Sequence, residues 1–80
     1  MARTLRIELT FLGAMQQIAG RPTLWLDLPA GATVARALAL LRERMPAFVG
    51  VEPRVNVDGS DVDGRRELRA GDGLFLLPRE

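Results

Sequence analysis

A single stretch of this chain has helical periodicity long enough to cover a sheet. Val34, Ala37, Leu38, Leu41 and Met45 recur at three- and four-residue spacing, which puts them on one apolar stripe of a helix. Arg36, Glu43 and Arg44 lie off the stripe, and Arg42 and Arg44 sit in the last turn, where cations suit the helix dipole. Pro29-Ala30-Gly31 breaks whatever precedes, Thr33 is a good N-cap, and Pro46 ends the run. The spacing therefore predicts one helix over Val34 to Met45. With one such stripe available, the strands have to share it as their cover.

The remaining apolar residues alternate. Leu5, Ile7, Leu9 and Phe11 are interleaved with Arg6, Glu8 and Thr10, giving a first strand with one buried face. Leu24, Leu26 and Leu28 alternate with Thr23, Trp25 and Asp27 in a second. The short connection Leu12 to Gly20 carries Met15 and Ile18 to tuck under the sheet, so the pair reads as an antiparallel hairpin with a long loop. After an irregular link plugged by Phe48 or Val51, Arg54 to Val57 reads as a third strand. Asp58-Gly59 is a tight-turn signal that returns the chain through Ser60 to Val62. Leu68 anchors a polar loop, and Leu74 to Leu77 is the last strand before Pro78. The fold class is α+β, in the order β-β-α-β-β-β: a mixed sheet of four to five strands with one helix packed across one face. Residues 1–80 form one domain, since 80 residues leave no room for a second core.

Absent residue types limit the chemistry. The chain has no His, Cys or Tyr, and all of its 11 cations are arginines. That removes the usual thiol nucleophile, the base that titrates near neutral pH, Schiff-base amines and the common zinc ligands. No catalysis by its own side chains is expected, and no cofactor or metal site. Asp58, Asp61 and Asp63 with Gly64 hint at a calcium loop. In an EF-hand register, however, Gly59 and Ala70 would fall where carboxylates are required. Gly71-Asp72-Gly73 has too few glycines, and precedes a strand rather than a helix, so it is no phosphate cradle. The net charge of +1 and the mixed-sign surroundings of Arg65, Arg66 and Arg69 argue against nucleic acid. No apolar run approaches the ~18 residues of a membrane span. Without a secretory pattern or cysteines, the expected compartment is the cytoplasm.

The ordered segments resemble the ubiquitin-like β-grasp, and in detail the MoaD/ThiS sulfur-carrier family of molybdopterin and thiamine synthesis. Phe11-Leu12-Gly13-Ala14-Met15 through Ile18-Ala19-Gly20 is similar to that family's first strand and turn. Leu28-Pro29-Ala30-Gly31-Ala32-Thr33-Val34 is similar to its approach to the helix, and Arg54-Val55-Asn56-Val57-Asp58-Gly59 to its third strand and hairpin. Leu68-Arg69-Ala70-Gly71-Asp72-Gly73, running into Leu74-Phe75-Leu76-Leu77-Pro78, resembles its last turn and strand.

The resemblance implies a carrier whose Gly-Gly tail is adenylated by an E1-like enzyme and converted to a thiocarboxylate. The sequence instead closes with Pro78-Arg79-Glu80, about three residues or ~10 Å short of that reach. Glu80, in the place of the carrier terminus, would add a second carboxylate, so the chain as written is expected not to act as a carrier. The alternative is a non-catalytic β-grasp interaction module that has lost the tail.

Outward-facing apolar residues suggest where a partner would bind. If Leu24, Leu26, Leu74 and Leu76 face the helix, then Trp25, Phe75 and Leu77 face away from it. With Pro78 and Arg79, they are the candidate partner-binding residues. The resemblance implies a larger cytosolic protein as the partner, either an E1-like activating enzyme or a molybdopterin-synthase-like large subunit.

Overall fold

The alternation of the first strand puts Ile7, Leu9 and Phe11 on one side of the backbone, and all three are buried. In the computed structural model, which describes residues 3–79, this strand is β1 (Thr4–Phe11). It pairs antiparallel with β2 (Thr23–Pro29), Ile7 opposite Leu26. Pro29 ends β2 at no cost to the ladder. Ala30 N donates to Arg3 O at 3.0 Å and Phe11 N to Pro22 O at 2.8 Å, so the even-numbered residues of β2 bond to β1. The nitrogen of Pro29 points away from β1, where no donor is needed.

The connection between β1 and β2 is not a plain loop. It contains a short helix, α1 (Ala14–Ala19), with Met15 buried and Ile18 packed against the core one turn on. Gly13 opens it with φ 56° and ψ −131°, a conformation essentially confined to residues without a Cβ. Six residues between two glycines gave too little periodicity to announce the helix.

The main helix α2 covers Val34–Arg44, one residue shorter than the apolar stripe suggests. Met45 lies before Pro46, which disfavours helical backbone, and it sits at φ −130° and ψ 87° as the C-cap. At the other end the helix is fully tied down. Thr33 Oγ1 accepts from Arg36 N at 3.3 Å, while Val34 N and Ala35 N donate to Arg66 O and Gly64 O, each at 2.9 Å. The polar loop thus supplies acceptors that the first helical turn cannot find within itself. Gly64 suits this close approach, because a Cβ there would come within 3.1 Å of Ala35 Cβ, a tight contact that the loop or the helix would have to relax.

Past a 3-10 turn at Pro46–Phe48, the chain forms β3 (Arg54–Val57), β4 (Ser60–Val62) and β5 (Gly73–Leu77). Of the two expected plugs, Phe48 is fully buried and stacks on Phe11 at 5.5 Å between ring centroids, and Val51 is half-buried. The tight turn is formed by Asp58 and Gly59, with φ 52° and 81°. The five-stranded sheet runs β2-β1-β5-β3-β4, with β5 parallel to β1 and antiparallel to β3. Gly73 opens β5 one residue before the expected start, opposite Glu8.

The core lies between α2 and one face of the sheet. Val34, Ala37 and Leu41 meet Ile7, Leu26, Leu28, Leu74 and Leu76, all buried, while Leu5, Leu24 and Leu38 are half-buried at its margin. Replacing Leu41 by Ala should destabilise the domain by ~2–5 kcal/mol, read as a large fall in urea midpoint. Gly64→Ala should cost about 1–3 kcal/mol by forcing the loop off the helix start. Its signature in hydrogen exchange would be faster exchange of the Val34 and Ala35 amides.

Candidate partner-docking site

Strand pleating settles which residues of β5 face outward. Leu74 and Leu76 are 0% exposed beneath α2, whereas Phe75 on the opposite face is 39% exposed. Phe75 lies between Thr10 of β1 and Asn56 of β3, and Leu77 lies opposite Arg54. Both neighbours of Phe75 are short polar side chains, so its ring stands above its surroundings. Arg54 is drawn towards β4 by Asp61, at 3.3 Å.

Leu12 extends this surface. Its N–H donates to Leu76 O at 3.0 Å, continuing the parallel ladder so that Leu12 stands beside Leu77. It is 38% exposed. By sequence alone Leu12 falls in the connection that follows the alternating strand. The available signal was that Leu12 follows the inward Phe11 directly, so that in an extended chain it had to face out. Pro78 closes the cluster over Gly13, whose Cβ position would be 3.4 Å from the proline Cγ. The result is one apolar group, Leu12, Phe75, Leu77 and Pro78, at the end of the sheet where the last strand leaves it.

The other candidates lie elsewhere. Trp25 is exposed on the same outer face but sits on β2, with Glu8 and Thr10 of β1 between it and Phe75. The Arg6 guanidinium lies 5.2 Å from the centre of its ring, a cation–π contact. Arg79 turns the other way, to the wall of a groove of about 240 Å³ between α2 and β3–β4, beside Arg42 and Glu52. Arg42 is already committed there, donating to Val51 O at 2.9 Å. Glu80 lies outside the described residues, so the carrier terminus has no structural description.

Electrostatics at the loops is local. The Asp63 carboxyl is held below its ordinary value, chiefly by the Arg65 backbone N–H at 2.8 Å and then by the charge of the same residue. This shapes the turn that carries Gly64 and Arg66 to the start of α2. Among the described residues, no group of three or more His, Cys, Asp or Glu side chains is placed to hold a metal ion. Nor is any helix among them long and apolar enough to cross a membrane.

Solved structures share this arrangement over nearly the whole chain. The small archaeal modifier protein 1 of H. volcanii superposes with a TM-score of 0.84 at 25% identity, covering 92% of this chain and 97% of its own. A Pyrococcus furiosus protein described as molybdopterin converting factor subunit 1 gives 0.85 at 21%, covering 92% and 97%. The fold is the ubiquitin-like β-grasp. One chain of a protein–protein complex of subunit 1 and 2 of the molybdopterin-converting factor from Helicobacter pylori matches at 0.70 and 16%, over 95% of this chain and 96% of that one. No known family profile and no curated protein matches the sequence. Within the β-grasp, this chain is similar to MoaD-like and archaeal modifier proteins.

The exposed cluster gives a direct test. Phe75→Ala and Leu77→Glu should each leave the melting temperature within a few degrees of wild type, because neither side chain supports the core. If this face binds a partner, Phe75→Ala should weaken that binding by ~2 kcal/mol or more, measured by calorimetry. Arg42→Ala, on the far side of the sheet, should leave binding unaltered.

Proposed function

We propose that this protein is a ubiquitin-like carrier of the MoaD/ThiS kind, acting in the cytoplasm in molybdopterin or thiamine synthesis. It contributes no catalytic side chain. It works by docking onto a larger protein, an E1-like activating enzyme or a molybdopterin-synthase-like large subunit. The observation that carries this reading is the apolar cluster of Leu12, Phe75, Leu77 and Pro78, located where β5 hands on to the chain end. A carrier needs its binding surface there, so that docking delivers the following residues to the partner's active centre.

Two features support the reading. The surface is apolar at its middle and flanked by polar Thr10, Asn56 and Arg54, the pattern of a protein interface with a wetter rim. The similar Helicobacter pylori subunit is held in a complex with a second subunit.

Intact-mass spectrometry of the protein isolated from its own cells tests this. The expected result is a species closing in Gly-Gly and bearing a C-terminal thiocarboxylate, and Phe75→Ala should reduce that fraction. A cellular protein that closes at Glu80, unmodified, but still copurifies with a partner through Phe75 would overturn the carrier reading. It would leave an interaction module in its place.

A further inference from the structure

We propose that the free edge of β2 pairs with the same edge of a second copy of this chain, around a two-fold axis at Trp25. The inference is independent of the carrier reading and concerns the opposite edge of the sheet from the β3–β4 hairpin.

The two edges of the sheet differ. β4 is three residues long and exposes Asp61 beside Arg54, the kind of short, charged edge that resists strand addition. β2 is seven residues long and touches only β1 and α2 among the described elements. It has no lysine, no inward charge and no bulge in its register. Its backbone is also fully sorted. Because the even-numbered residues bond to β1, the N–H and C=O groups of Thr23, Trp25 and Asp27 all point outward.

That sorting selects both the occupant and the register. With the axis at Trp25, Trp25 exchanges both of its bonds with Trp25 of the second copy. Thr23 and Asp27 exchange theirs with Asp27 and Thr23, so every outward donor and acceptor of the three residues is used. On the outer face the two indoles become a cross-strand pair, and Asp27 faces threonine rather than another carboxylate. On the inner face, half-buried Leu24 comes to lie beside the strand position of Leu26 in the second copy, whose side chain is already fully covered. Moving the axis to Leu26 is worse. It sets Asp27 against the indole and leaves the Thr23 carbonyl opposite Pro29, which has no N–H. With the axis at Trp25 the strand is thus complementary to itself, as an isologous interface requires. The contact is small, so association should lie in the range of about 10–1,000 μM.

Trp25 is the one tryptophan of the chain, which makes the association visible. Sedimentation velocity on the full chain from about 5 μM to 2 mM, with emission read on the same samples, should show a monomer–dimer shift. The emission should move to the blue as the indoles cover one another. Asp27→Pro removes an N–H that bonds nothing within the protomer, so the fold should survive while dimerisation weakens about tenfold or more. Trp25→Lys should do the same by setting two cations face to face, and it keeps the test alive should the proline variant unfold. Phe75→Ala should dimerise like wild type. A wild type still monomeric at 2 mM would overturn the proposal. So would a dimer that survives both β2 substitutions, or one lost on Phe75→Ala.

Discussion

The covering of the sheet by the buried stripe of α2 is the contact on which the other elements depend. Ala37 has no exposed surface and lies between Val34 and Leu41 on the buried stripe. Its methyl is fully enclosed, and the larger Val34 and Leu41 on either side share one buried cluster with Ile7, Leu26, Leu74 and Leu76. Among the described residues the buried side chains form one cluster, and every element leans on it. The helix start is correspondingly secured by three separate acceptors, Thr33 Oγ1, Gly64 O and Arg66 O. The polar loop, which looks like mere solvated charge, thus supplies two of the acceptors that tie down the start of the helix.

Most of this arrangement could be read from local pattern. Period two in Leu5 to Phe11 and in Thr23 to Leu28, and period 3.6 from Val34, each specify an element and its buried face. Asp58-Gly59 specified a turn whose φ values bear it out. What escaped was either short or non-local. α1 offers Met15, Ile18 and the small Ala19 as apolar contacts, and its six residues are below the length at which periodicity separates helix from loop. The 3-10 turn at Pro46–Phe48 is three residues long. Leu12 illustrates the non-local case. Its partner, Leu77, is set by the parallel ladder between the first and last strands, and no local pattern announces that pairing.

The candidate surface divides in the same way. The outward facing of Phe75 and Leu77 followed from alternation alone. That Trp25 stands apart from them, with β1 between, needed the strand order. Two apolar features on one face of a sheet are therefore not one patch. One borders the exit of the last strand and the other borders an open edge, and the polar Glu8 and Thr10 keep them separate.

The place of β5 also bears on how the molecule comes into being. It is last in sequence among the strands yet lies between β1 and β3. The β1–β2 and β3–β4 hairpins can each form locally, but neither touches the other until β5 slides between them. A nascent chain must therefore hold two half-sheets with raw edges in waiting until Gly73 to Leu77 has emerged. Joining β1 to a strand more than sixty positions away spends loop-closure entropy before any reward arrives, which slows the final step. During that interval both flanks of the gap can accept a foreign strand. The cell's exposure to misassembly is thus set by the arrival time of five residues.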